Sequence, residues 1–140
     1  MSDRIIMNTP WLIVDAMNVI GSRPTGWWRD RPGAIRRFVA ELAEYARRTD
    51  TGVTVVIDGR PISGLPAGDH EDVEVVYASR RGPNAADDRI VELVDADHNP
   101  SALCVITSDR ELRRRVSVLG AKVEGAGWLL RRLDERGSPE

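Results

Sequence analysis

A chain of 140 residues, 41% hydrophobic and 30% charged, reads as one soluble globular domain that hides roughly two-thirds of its unfolded-state surface. No apolar run approaches the roughly 20 residues that span a bilayer, and the opening MSDRIIMNTP lacks the apolar stretch and cleavage site of a secretion signal; a cytoplasmic location without a membrane partner is expected. A net charge of −2 excludes a protein that coats nucleic acid by bulk charge, and a single cysteine excludes a disulfide framework.

The first apolar run, Trp11-Leu12-Ile13-Val14, closes on Asp15 and predicts a buried strand. A loop rich in Gly, Pro and Trp follows, MNVIGSRPTGWWRDRPG. Ile35, Phe38, Val39, Leu42 and Ala46 then recur at helical spacing, with Asp30 and Pro32 as start signals and Gly52 as the stop. Residues 53–57 predict a second strand closing on Asp58-Gly59. A Gly/Pro-rich connection over 60–72 leads to a third strand at 73–77. Asn84 is placed as the cap of a helix carrying Ile90, Val91, Leu93 and Val94. Leu103–Ile106 predicts the fourth strand, with Cys104 as a small core residue. Ser108 is placed at the start of a helix with Leu112, Val116 and Leu119. A short fifth strand at Lys122–Glu124 and a helix at 128–133 complete a domain whose core spans about residues 11–133, before a tail expected to be disordered. Lys122 is the only lysine, and the arginine excess is taken as composition bias.

Continuous apolar strands alternating with amphipathic helices predict an α/β fold: a mostly parallel sheet of about five strands between two helical layers. Such sheets bind ligands beyond the carboxyl ends of their strands. Asp15 and Asp58 end strands, Asp87 and Asp88 open a helix, and Asp109 follows the fourth strand, so all five are expected on one edge. Carboxylates brought together raise one another's pKa, and a divalent cation relieves that conflict. Mg²⁺ suits an oxygen-only set and needs only one or two direct carboxylates. No Cys/His spacing suggests zinc, and His70 and His98 stand alone in polar stretches. Local readings coexist with this one. Asp58-Gly59 fits a turn, Asn84 and Asp87 fit the cap and first turn of a helix, and Ser108 with Glu111 fits a capping box.

The runs Asp15-Ala16-Met17-Asn18-Val19-Ile20, VVIDG ending at Gly59, NAADDRI from Asn84 and VITSDREL from Val105 resemble the NYN domain family, in its YacP-like branch, within the PIN-like nuclease superfamily. The similarity extends from about Trp11 to Leu133 and rests on the order and spacing of four motifs. It implies a Rossmann-like (PIN-like) three-layer sandwich and a metal-dependent endoribonuclease, a hydrolase using Mg²⁺ or Mn²⁺. It assigns metal-site roles to Asp15, Asp87 and Asp109, a site-organising amide to Asn18, a hydroxyl near the metal to Ser108 and supporting acids to Asp58 and Asp88. Ala16-Met17 stands where the family commonly has Gly-Tyr, a departure that bears on substrate fit at that turn.

RNA is the expected partner, whether mRNA, tRNA or ribosome-associated RNA. Trp27 and Trp28, with Arg23 and Arg29, supply stacking and phosphate-binding groups in the loop after Asp15, and Arg80 and Arg81 precede the Asp87 helix. Three rival readings share the fold: a catalytically weak RNA- or ribosome-binding module, a phosphotransfer receiver or phosphatase using Asp58, and a partner-binding domain without enzymatic activity. A receiver needs a late lysine, for which Lys122 is the sole candidate.

Overall fold

The computed structural model describes residues 9–78, 82 and 84–135. Strand β1, Trp11–Asp15, lies at the centre of a six-stranded sheet ordered β3-β4-β2-β1-β5-β6. The other strands are β2 (Val53–Asp58), β3 (Gly68–His70), β4 (Val73–Ala78), β5 (Leu103–Ile106) and β6 (Lys122–Glu124). All pair in parallel except β3, which runs antiparallel to β4 at the edge.

The helices are α1 (Ala16–Gly21), α2 (Arg31–Thr49), α3 (Ala85–Asp95), α4 (Arg110–Val118) and α5 (Ala126–Asp134), with 3₁₀ turns at Trp27–Asp30 and Pro100–Ala102. Alternate residues of β1 face opposite ways, and each face has its own core. Leu12 and Val14 pack with Val19 of α1, Phe38 and Leu42 of α2, and Leu129 and Leu133 of α5. Ile13 packs with Ile90 and Val94 of α3 and Leu112 and Val116 of α4. The outcome is the expected three-layer α/β sandwich. Among the described residues, no helix is long and apolar enough to cross a membrane.

Four local expectations change. The connection at 60–72 contains β3, a sixth strand held by backbone pairing of Gly68, Asp69 and His70 with Val75, Glu74 and Val73. The loop after Asp15 begins as α1, which buries Ala16, Val19 and Ile20 at helical spacing. The final helix starts at Ala126, before Trp128. The two ends of α2 show how local chemistry sets a boundary. Its start is capped as expected, with Gly33 N–H donating to Asp30 Oδ1 at 3.1 Å and Pro32 in the first turn. Its end is set by Asp50, which takes the left-handed conformation at φ 56°, and not by Gly52.

Gly52 has a different constraint. A Cβ at this position would come within 2.1 Å of the Trp11 ring. That ring is fixed by its indole N–H donating to Thr54 Oγ1 at 2.8 Å, and Leu12 N–H donates to the Gly52 carbonyl at 2.9 Å. Gly52→Ala therefore forces the indole out of place. The expected loss is about 1–3 kcal/mol, as for other overpacked sites, read by urea denaturation. Combining it with Trp11→Ala should recover part of that cost, because the added methyl then has room.

Candidate active site

The register of the sheet sets the site. Val14 pairs with Ile106 across β1 and β5, so Asp15 and Thr107 follow together at the carboxyl edge. Asp15 also pairs with Val56, two residues before Asp58 ends β2. Parallel strands thus deliver residues from positions far apart in the chain to one rim.

Asp15 is buried, 6% exposed, and its Oδ2 accepts the Thr107 hydroxyl at 2.9 Å. Burial pushes its pKa up to about 6. The charges of Asp87 and Asp109 push the same way, while the Thr107 hydroxyl and the Asn18 backbone N–H favour the ionised form. Thr107 is fully buried, and its oxygen also accepts the Asp109 N–H at 3.2 Å. One hydroxyl therefore bridges two of the acidic residues. The family resemblance implies a hydroxyl near the metal at Ser108; the hydroxyl that meets Asp15 is that of Thr107. The available signal was a polar residue directly after β5, level with Asp15.

Ser108 serves a different contact. Its N–H donates to Asn18 Oδ1 at 2.8 Å, and its Oγ accepts the Ala126 N–H at 2.9 Å. The amide of Asn18 thus ties the β1 end to the β5 end, and the Ser108 hydroxyl docks the first turn of α5. The capping-box expectation is overturned. Asp109 has an extended backbone and is itself the cap of α4, its Oδ1 accepting the Leu112 N–H at 2.9 Å. Glu111 turns to Arg114 instead, at 2.6 Å.

Asp87 and Asp88 stand in the first turn of α3. The Asp87 carboxyl is pushed up by burial and then by Asp109. Arg115 opposes this, while Asp88 and Asp58 add to it. Asp88 Oδ1 accepts from Arg115 Nη1 at 3.0 Å, a half-buried pair still open to solvent, worth about 1 kcal/mol, that links α3 to α4. Asn84 occupies the cap position of α3 without a side-chain capping hydrogen bond. Asp58 is exposed, and its carbonyl accepts from Arg31 Nη2 at 2.5 Å.

The structure thus brings Asp15, Asn18, Asp87, Ser108 and Asp109 to one edge, with Asp58 and Asp88 at its margin. Among the described residues, no group of three or more His, Cys, Asp or Glu side chains is gathered tightly enough to enclose an ion. The donor set fits a divalent ion held by one or two carboxylates, because mutually repelling acids with raised pKa values are what such an ion neutralises. His70 belongs to β3 and His98 follows α3.

The loop residues divide. Arg23 pairs with Glu41 at 2.8 Å and lies over the Phe38 ring. Trp27 is partly buried against the core, whereas Trp28 is exposed with the Arg29 guanidinium 5.8 Å from its ring centre. Arg80 and Arg81 lie outside the described residues.

A mostly parallel sheet with an acidic rim at its carboxyl edge is the arrangement of the PIN-like fold, and the comparisons with known proteins agree. The chain matches the YacP-like NYN domain over residues 12–138 and belongs to that family. It is similar to the crystal structure of Rae1 (YacP) from Bacillus subtilis, with 28% identity and a TM-score of 0.74 over 90% of this chain and 74% of that one. A tryptophan-to-leucine variant of the same protein gives 28% identity and a TM-score of 0.73, covering 90% and 76% of the two chains. No curated protein matches.

The raised pKa of Asp15 has a signed consequence in chelated protein. The folded chain holds the proton near pH 6, whereas an unfolded carboxyl releases it near 3.8. Protonation of Asp15 therefore contributes stability that is fully present below pH 3.8 and is lost as pH rises through 6. The total is about 3 kcal/mol, from 1.36 kcal/mol per pKa unit. Urea unfolding should show Asp15→Asn more stable than the parent at pH 8, with the difference shrinking toward pH 4.

Proposed function

We propose that this protein is a metal-dependent endoribonuclease that hydrolyses RNA phosphodiester bonds at the carboxyl edge of the sheet. The observation that carries this reading is the buried Asp15, whose carboxyl is destabilised as an anion by its burial and by Asp87 and Asp109. A buried acid surrounded by like charges costs stability and is explained by a cation it is built to receive. Membership of the YacP-like NYN family supports the same reading.

In this reading Asp15, Asp87 and Asp109 would hold Mg²⁺ or Mn²⁺. When bound, such an ion supplies positive charge to a phosphoryl oxygen and acidifies water. The remaining work belongs to the chain. Thr107 holds Asp15 in one orientation and favours its ionised form. Asn18 fixes the Ser108 backbone, and so the approach of Asp109. Asp88, paired with Arg115, and Asp58 tune the potential at Asp87. RNA is the substrate, drawn from mRNA, tRNA or ribosome-associated RNA.

A second reading draws on the open arrangement of the carboxylates. Asp109 Oδ1 caps α4 and Asp15 Oδ2 takes the Thr107 hydroxyl, an arrangement that also suits a weakly active RNA-binding module.

Asp109→Asn separates these possibilities. Asparagine caps a helix as well as aspartate does, so the Leu112 N–H keeps its acceptor and the fold is preserved. Labelled single-stranded and structured RNAs should be cleaved with Mg²⁺ or Mn²⁺, spared under chelation and spared by the variant. Metal should also raise the parent's melting temperature, by the equivalent of about 2.7 kcal/mol at a hundredfold excess over Kd. Asp15→Asn, Asp87→Asn and Asp109→Asn should each blunt that rise. RNA binding without cleavage by the parent would favour the second reading. Cleavage by a folded Asp109→Asn protein would remove that residue from the chemistry.

A further inference from the structure

Trp28 is 62% exposed; among the described residues only Val118 joins it as an exposed large hydrophobic side chain. The two differ in setting. Val118 ends α4, at the end of the helix remote from the acidic rim that Asp109 opens. Trp28 belongs to a turn pinned on several sides. Gly26 takes the left-handed conformation at φ 70° to start the 3₁₀ turn, and Asp30 caps α2 directly after it. Trp27 anchors the turn in the core and meets the Trp28 ring edge-on, with centroids 6.1 Å apart at 87°. Arg31, three residues on, donates to the Asp58 carbonyl and so fastens the turn to the end of β2. Asp58 ends β2 at the carboxyl edge of the sheet, two residues past the Val56 that pairs with Asp15, so this turn stands at the rim of that edge.

We propose that Trp28 is a stacking platform for one unpaired nucleobase of the RNA lying across that edge, with Arg29 and Arg31 beside it to meet the flanking phosphates. This rests on the RNA reading proposed above and extends it to a specificity-determining residue. Three features select a nucleobase. The ring is carried on a turn anchored from both sides, which lowers the entropy lost on stacking. A guanidinium lies 5.8 Å from its centre, the combination of π face and cation that single-stranded nucleic acid engages. No second exposed large apolar side chain accompanies it at this edge among the described residues, whereas a docking surface for a folded protein needs an apolar patch. An unpaired base is required because bases inside a duplex are already covered on both faces.

The test uses the full chain carrying Asp109→Asn, with Mg²⁺, so that RNA stays intact. Fluorescein-labelled octa-adenylate and a duplex of the same length serve as probes, read by anisotropy, with tryptophan emission followed in parallel. Octa-adenylate should bind more tightly than the duplex and quench tryptophan emission. Trp28→Ala should weaken octa-adenylate binding roughly five- to a hundredfold and remove most of the quench, at an unchanged melting temperature. Trp28→Phe should keep most of the affinity. Equal affinity of the parent and Trp28→Ala overturns the proposal. So does a loss of affinity in Trp28→Ala and Trp28→Phe alike with a lowered melting temperature, which marks the ring as structural. The nuclease reading fails separately. Trp28-dependent binding with no metal-dependent cleavage by the parent leaves this inference standing alone. Cleavage with an unchanged KM in Trp28→Ala, carrying the native Asp109, overturns this inference and leaves the nuclease.

Discussion

The Thr107 hydroxyl lies where the rest of the site must pass. Its proton goes to the buried carboxylate of Asp15, and its oxygen receives the amide of Asp109. An alcohol can donate once and accept twice, so it can face an anion on one side and a backbone N–H on the other without conflict. Neither partner could exchange places with it: a carboxylate opposite Asp15 would repel, and an apolar side chain would leave a buried anion short of a donor. The same residue is held by its own backbone, its N–H donating to the Glu124 carbonyl and its carbonyl accepting from Arg113. Backbone and hydroxyl are thus both held at this position.

Around that bridge, each acid has a distinct environment. Asp15 is enclosed, Asp87 is partly covered at a helix start, Asp109 is committed to a cap and Asp88 is paired with Arg115. Enclosure makes Asp15 the acid whose ionisation is most expensive, because bulk water cannot solvate it and two like charges act on it. Asp87 shares that pressure, but Arg115 offsets part of it. A graded set of this kind leaves the edge sensitive to any cation or phosphate that arrives, since the weakest ionisation lies deepest.

Much of this was readable from residue order. The apolar runs that become β1, β2, β4 and β5 carry a buried-strand signal, and the rule placing ligands at the carboxyl ends of such strands put five aspartates on one edge. What escaped has physical reasons. Strand β3 is made of Gly68, Asp69 and His70, which pair through backbone alone and carry no apolar signal. The helix α1 is short, and its Ala16, Val19 and Ile20 stripe is hidden by the Gly, Pro and Trp that follow. Ser108 and Asp109 are equally good cap residues, and only the extended backbone at Asp109 decides between them. Thr107 was missed because its value comes from a partner 92 residues away. Of the two adjacent tryptophans, both offered by the sequence as stacking groups, only the core contact of Trp27 shows which one stays outside.

The Ser108 hydroxyl that accepts from Ala126 N–H makes the edge depend on the last helix of the fold. Thr107, Glu124 and Ala126 are synthesised about 90 to 110 residues after Asp15, and β1 is only half-paired until β5 reaches it. A growing chain therefore carries isolated aspartates but no assembled rim. The rim is complete only when β5, β6 and the start of α5 close on β1, so a chain halted before that point has the aspartates without their arrangement.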